Sequence, residues 1–339
     1  MKEASRDDHR SPTHDEALRP PRAARAVDMR LPVRAPFHLE ATVRVLQRRA
    51  GNLIDRWDGQ RYRRAIRMPG WAMLLEVQNL GTVDTPELAL TIPGSNASAS
   101  HRAQAAQLVQ QMLGLDLDTA AAQRRAEAEP ALRETARALR GMRPPRYPDL
   151  FETFANVIPF QQVSLEAGMS VVAHLIHHFG DRLEIDGITY HLFPKAETVA
   201  SARTASLRSC GMSVRKSEAL RRIAGTIAAG SLTAEELLVL PSTEAIGRLM
   251  QLSGIGPWSA ALILLRGLRR LDVFPQADTG AEGSLAKLLH LRSKASLTRI
   301  VESFGEYRGY LYFYGLASRL LAAELIHPAP GRGDPWTLP

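Results

Sequence analysis

LSGIGPWSAALILLRGL, residues 252–268, is a helix–turn–helix joint written around two glycines. Ahead of it, Ser242 opens a helix with Glu244 in its first turn and apolar residues at Ala245, Ile246, Leu249 and Met250. Gly254 and Gly256 then bracket Ile255, and Pro257 takes the first position of the next helix, where its missing N–H costs nothing. Such a turn suits a phosphate. Two glycines let the backbone approach an anion closely. The helix behind them aims unpaired N–H groups and its positive dipole end at the ligand. Ser259, in the first turn, adds a hydroxyl donor. A loop of this kind grips a DNA backbone without reading bases. The same pattern also serves an ordinary helix–helix connection in which glycines allow close packing, and the turn alone leaves both readings open.

Bulk properties narrow the partners. The net charge of +8 points to a polyanion, though not strongly by itself. A length of 339 residues predicts about two domains and a core large enough to need no staples. Cys210 is the single cysteine, which excludes an internal disulfide and any four-thiolate zinc or iron–sulfur site. No apolar run approaches the roughly 18 residues of a membrane span. Residues 1–30 read as a disordered basic tail: they alternate Arg, Asp, His and Pro with no apolar stretch of the kind a secretory signal needs. Glu3, Asp7, Asp8, Asp15 and Glu16 argue against a transit peptide as well.

Residues 31–100 read as a small α+β unit. Ala41 to Arg49 carries a short helical pattern. Tyr62–Ile66, Ala72–Gln78 and Leu88–Ile92 are strand-like, punctuated by turns at 68–71 and 92–96, and predict an antiparallel sheet. From 101 to 330 the pattern is helical, broken by Pro130 and by a hairpin-like piece at 183–193. Asp149 with Glu152 is a helix start signal, Pro159 ends or kinks that helix, and a second helix runs from Ser164 to Phe179. There are no repeats.

Residues 252–278 resemble the active-site segment of the helix-hairpin-helix DNA glycosylases, and within them the 3-methyladenine DNA glycosylase II branch. Gly254-Ile255-Gly256, Trp258, Arg266-Gly267, Asp272-Val273-Phe274 and Asp278 follow that branch's order, and residues 151–168, 193–202 and 207–224 are similar to its upstream segments. The resemblance implies a mainly α fold, with two helical subdomains around a cleft and a small N-terminal sheet domain. It implies a monofunctional base-excision enzyme that flips alkylated bases of the 3-methyladenine and 7-methylguanine type out of double-stranded DNA. Asp278 takes the role of the catalytic carboxylate by position, stabilising positive charge on the sugar and helping water attack. Its residue-level alternative is a helix N-cap for the segment starting near Thr279. Asp272 is the rival carboxylate. Bifunctional relatives carry an attacking lysine two residues after the hairpin; Trp258 stands there instead, so no strand cleavage is expected.

By the same resemblance, Gln161 and Gln162 form the wedge that fills the gap left by a flipped base, although two glutamines also simply start a helix. Trp258 and Tyr310 are expected in the base pocket, and Leu262 and Leu316 stand where the best-known family pocket has aromatics. Lys216, beside Arg215 at a helix start, suits a phosphate or is a solvated helix end. His174, His177 and His178 share a helix but lack further ligands, so no metal is expected. The family also implies a possible monovalent cation on carbonyls around Leu252 and Gly254 with DNA bound. A cytoplasmic, nucleoid-associated monomer is the expected form. Two other readings stay open: a glycosylase for deaminated or oxidised bases, kept alive by the two leucines, and a non-catalytic DNA-binding module.

Overall fold

The computed structural model describes residues 28–331 apart from 50, 69, 95 and 96. The expected tail therefore lies outside the described residues except at its end, where residues 28–30 are already strand. Parts of both predicted sheet turns, at 69 and at 95–96, also fall outside.

The N-terminal unit contains β1 (Asp28–Leu31), α1 (Leu39–Gln47), β2 (Arg56–Trp57), β3 (Arg61–Met68), β4 (Trp71–Asn79) and β5 (Leu88–Thr91). The strands pair antiparallel in the order β1-β5-β4-β3-β2, with Ile66 opposite Met73. Alternation along β3 and β4 gives the sheet two apolar faces. Tyr62, Ile66, Met73 and Leu75 face α1 and the next helix, α2 (Ala99–Leu113). Ala65 and Leu74 face the other way.

The boundary expected at residue 100 is corrected by α2. Its Ala105, Val109, Met112 and Leu113 are buried on the sheet, so this helix belongs to the N-terminal unit. Helical periodicity marks an amphipathic helix but does not say which layer its apolar stripe covers.

Next come α3 (Ala120–Ala128) and α4 (Arg133–Ala138), which stop and restart around Pro130. α5 (Leu150–Ala155) starts where the Asp149 side chain accepts the Glu152 N–H at 2.7 Å. It stops before the short turn Ile158–Phe160, which contains Pro159. α6 (Leu165–Phe179) is capped by Ser164. The expected hairpin forms as β6 (Arg182–Ile185) and β7 (Ile188–His191), and its Leu183, Ile185 and Tyr190 cover Ala65 and Leu74 on the second face of the sheet. The remaining helices are α7 (Ala196–Ser201), α8 (Thr204–Ser209), α9 (Val214–Ala228), α10 (Ala234–Val239), α11 (Ser242–Met250), α12 (Pro257–Gly267), α13 (Thr279–Leu288), α14 (Lys294–Ser303) and α15 (Arg308–Ala322). The protein is thus mainly helical with an N-terminal antiparallel sheet.

α12 runs through the middle of the helical core, buried from Ser259 to Gly267. α1 joins the two units: Ala41 and Val45 enter the helical core, while Leu39, Val43 and Leu46 enter the sheet core. A buried ion cluster reinforces the joint. Arg64 on β3, 2% exposed, pairs with Asp55 at 2.6 Å and with Glu152 on α5 at 2.5 Å. Burial, with Asp149 and Asp55 nearby, pushes the Glu152 carboxyl up to about 8 despite Arg64. Removing one partner from such a cluster leaves an uncompensated buried charge, which costs about 3–5 kcal/mol.

Candidate active site

α11 and α12 meet in the glycine hairpin. Gly254 has φ +92°, and a Cβ there would come 2.8 Å from the Ala219 Cβ on α9. Glycine is therefore required both by backbone conformation and by packing. Gly256 differs: its backbone is extended, and a Cβ would meet nothing within 4 Å. Among the described residues nothing demands glycine at 256. The space beside it is open, ahead of the unpaired N–H groups that start α12.

The hairpin is joined to the segment between α5 and α6. Gln161 Nε2 donates to the Gly254 carbonyl at 2.8 Å and to Ser259 Oγ at 2.9 Å. Ser259 is 2% exposed on the cleft wall and its hydroxyl oxygen accepts from Gln161, so it anchors the neighbouring loop. Gln162 is turned the other way: it is exposed, with φ +54°, at the tip of the loop. The expected wedge pair therefore divides, with Gln161 directed inward and Gln162 outward. Lys216 also holds this loop. Its Nζ donates to the Pro159 carbonyl at 3.0 Å, and partial burial lowers its pKa. Arg215 beside it is exposed.

Asp278 sits at the N-cap of α13. Its Oδ1 accepts from Ala281 N at 2.9 Å and its Oδ2 from Trp258 Nε1 at 3.0 Å. Both carboxylate oxygens are held, one by a helix start and one by an indole on α12. The preceding Ala277 has φ +64°, a left-handed conformation that costs a non-glycine residue about 1–2 kcal/mol. Glu282 holds it there by accepting the Ala277 N–H at 2.7 Å. Asp272, the rival, is exposed and does not line the cleft.

These parts surround a cleft of about 1030 Å³. Its walls are the 160–166 loop, the start of α9, the hairpin, the start of α13 and one face of α15. Trp258, Asp278, Leu262 and Leu316 all line it, as do Gly254, Gly256, Gln161, Gln162 and Lys216. Tyr310 does not. It is 2% exposed, its hydroxyl is buried without a partner among the described residues, and its ring lies 6.4 Å from that of Tyr314. The α15 aromatic that reaches the cleft is Tyr312. Two residues along a helix is more than half a turn, so the expected pocket tyrosine was placed on the wrong face. A signal existed: Tyr312 is four residues before Leu316, which puts the two on one stripe.

Three further residues escaped sequence reasoning: Arg48, Ala277 and Glu282. Arg48 lies just past α1 with φ +63°. Its Nη2 donates to Tyr312 Oη at 3.4 Å, and its guanidinium lies 5.2 Å from the centre of the Phe160 ring. Burial works against its charge, yet Tyr147, Tyr312 and Asp278 more than offset this and raise its pKa. The N-terminal unit thereby contributes a cation to the cleft. Sequence showed only an Arg-Arg pair at a helix end.

His174 Nδ1 contacts the Cys210 carbonyl at 3.4 Å, and His177 stacks edgewise on His191. Among the described residues no cluster of three or more His, Cys, Asp or Glu is placed to hold a metal. The Leu252 and Gly254 carbonyls accept from Ile255 N at 3.0 Å and Gln161 Nε2 at 2.8 Å, and each keeps a second lone pair. Among the described residues no helix is long and apolar enough to cross a membrane.

Residues 28–149 match the family model of the AlkA N-terminal domain, and residues 155–305 that of the HhH-GPD superfamily base excision DNA repair proteins. A DNA-3-methyladenine glycosylase of Bacillus subtilis is 32% identical over 216 residues, covering 63% of this chain and 71% of that protein. A probable bifunctional transcriptional activator/DNA repair enzyme AlkA of Mycobacterium tuberculosis is 29% identical over 311 residues, 90% of this chain but 58% of that protein. The solved 3-methyladenine DNA-glycosylase from Archaeoglobus fulgidus superposes with a TM-score of 0.73 and 25% identity, over 87% of this chain and 99% of that one. Through the matched segment that carries both the glycine hairpin and Asp278, and through the length shared with the Bacillus protein, the chain belongs to the HhH-GPD superfamily of base excision DNA repair proteins.

Proposed function

We propose that the chain is a monofunctional DNA glycosylase that releases alkylated bases from double-stranded DNA by hydrolysing the N-glycosidic bond. The observation that carries this is Asp278: a carboxylate on the cleft wall, anchored through both oxygens, behind a hairpin suited to phosphate. The alkylated-base substrate class rests on the kinship with 3-methyladenine glycosylases.

In this mechanism Gly256 and the start of α12 grip a backbone phosphate. Gln162, at the tip of its loop, enters the duplex as the base swings out, at a cost of a few kcal/mol. The C1′–N bond breaks with its electron pair leaving on the base. Asp278 stabilises the cationic sugar, water adds its oxygen to C1′, and the proton of that water passes to the carboxylate. Trp258 has no amine with which to attack C1′, so the product is an unbroken strand with an abasic site. With DNA bound, the free lone pairs on the Leu252 and Gly254 carbonyls suit a hard monovalent cation that would help neutralise phosphate. A monomer acting on chromosomal DNA completes the reading.

The decisive experiment is chromatography of bases released from methylated duplex DNA, beside uracil, hypoxanthine and 8-oxoguanine substrates. Release of methylated purines is expected. Strands should stay intact until alkali is added, and a borohydride-trapped covalent adduct would contradict the water mechanism.

A further inference from the structure

The cleft combines a few aromatic groups with an enclosed cation. Leu262 and Leu316 give part of its wall no ring face. The face of Phe160 is covered by the Arg48 guanidinium, 5.2 Å from its centre, and the hydroxyl of Tyr312 receives the Arg48 Nη2. Trp258 and Tyr312 are the other rings on the cleft wall, and Tyr312 carries the Arg48 cation at its hydroxyl edge. Ring faces are what attract a cationic base, and here one of them, Phe160, already carries a cation, with leucines at two further wall positions.

Arg48 also has unused hydrogen-bonding capacity. Its side chain lines the cleft, and the bond of its Nη2 to Tyr312 is long at 3.4 Å. A guanidinium donor held by only a long bond is free to turn to a better acceptor in the cleft. Of the other cations lining the cleft, Arg215 and Arg319 are exposed and screened by water and Lys216 is tied to the Pro159 carbonyl, whereas Arg48 is half-buried beside the pocket rings, where charge acts more strongly.

We propose that Arg48 is a specificity-determining residue. It favours flipped bases that are uncharged and present a bare ring nitrogen or carbonyl oxygen, and it disfavours bases with a fixed positive charge. Among alkylated bases this selects neutral cyclic adducts, such as ethenoadenine, over ring-methylated cations such as 7-methylguanine. The proposal rests on the glycosylase reading above and refines its substrate class.

The test is single-turnover release of ethenoadenine and of 7-methylguanine from matched duplexes, each divided by its spontaneous rate, for wild type, Arg48→Met and Arg48→Lys. Removing the charge with Met should lower the first rate and raise the second, shifting their ratio by about tenfold or more toward the cationic base. Lys keeps the charge but not the planar fork, so it should retain discrimination against 7-methylguanine while losing ethenoadenine activity. If the Met variant fails to fold, the Lys variant alone decides. A ratio within about threefold of wild type in the folded variants, with both rates falling together, would show that Arg48 only packs Phe160 and Tyr312, and would overturn the proposal. A wild-type chain that releases neither base, nor any other, sinks the glycosylase reading and this proposal with it. Release by wild type with an unmoved ratio in the variants sinks only the role of Arg48.

Discussion

Asp278→Asn isolates charge from structure at the proposed catalytic position. Asparagine is as good an N-cap as aspartate, so its side-chain oxygen can still accept from Ala281 N, now at 2.9 Å. Its amide nitrogen then meets Trp258 Nε1 across 3.0 Å, donor against donor. One N–H is left unsatisfied, a loss of about 1–2 kcal/mol of stability. The kinetic loss is larger. A carboxylate about 4 Å from a sugar cation, at an effective dielectric near 20, contributes about 4 kcal/mol. At about 1.4 kcal/mol per tenfold, that is roughly a thousandfold in the chemical step. The assay is single-turnover base release from methylated duplex with enzyme in excess, beside a mobility-shift measurement of duplex affinity and a thermal melt. Release should fall about a thousandfold, while affinity stays within about threefold. Release within about tenfold of wild type would refute the charge-stabilisation argument. Affinity lost in parallel would instead make Asp278 a structural cap.

Other changes probe the hairpin, the loop and the domain joint. Gly254→Ala must clash with Ala219 and should destabilise the fold, whereas at Gly256 an added Cβ meets nothing within 4 Å, so Gly256→Val should fold normally but weaken binding to every duplex sequence alike, as seen by melting and binding titration together. A loss at Gly256 confined to one lesion would argue against a phosphate contact. Gln161→Ala removes two hydrogen bonds and orphans the buried Ser259 hydroxyl, about 2 kcal/mol in all. Release from duplex should drop by tens of fold, with much less change on single-stranded substrate, where nothing needs flipping; equal losses on both would disconnect Gln161 from the wedge. Glu152 is protonated more readily in the folded protein, near 8, than at its ordinary 4.5. The folded state therefore holds extra proton between those values, and this contribution to stability fades as pH rises through about 8. Denaturant midpoints at about pH 5.5 and 8.5 should show the slope in wild type and its flattening in Glu152→Gln; an identical slope in the variant would remove Glu152 as its source.

Much of the architecture could be read residue by residue because its determinants are local. Asp149, Ser164 and Pro257 mark helix starts through cap and turn chemistry that needs no distant partner. The hairpin at 254–256 and three of the five strands, β3, β4 and β5, were visible for the same reason, whereas β1 falls mostly in the stretch that reads as a tail and the two-residue β2 is too short to show an alternation. The errors have a common origin in facing. α2 had a clear helical pattern, but its assignment to the sheet unit depends on which layer its stripe meets. Tyr310 and Tyr312 are both aromatic and two residues apart, and only the packing of α15 against α13 decides which of them sees the cleft.

By itself, then, the amino-acid order determined the helices, their caps, the glycine turn, the position of Asp278 beyond it and the absence of a lysine at 258. Those features follow from backbone conformation and short-range spacing. Tertiary structure decided that Ser259 and Gln161 turn inward as a clasp while Gln162 turns out, and that both oxygens of Asp278 are engaged. It alone brought Arg48 to Tyr312, 264 positions away in the chain. A contact across that separation has no sequence period to announce it, because it is set by how α1 and α15 pack after both have formed.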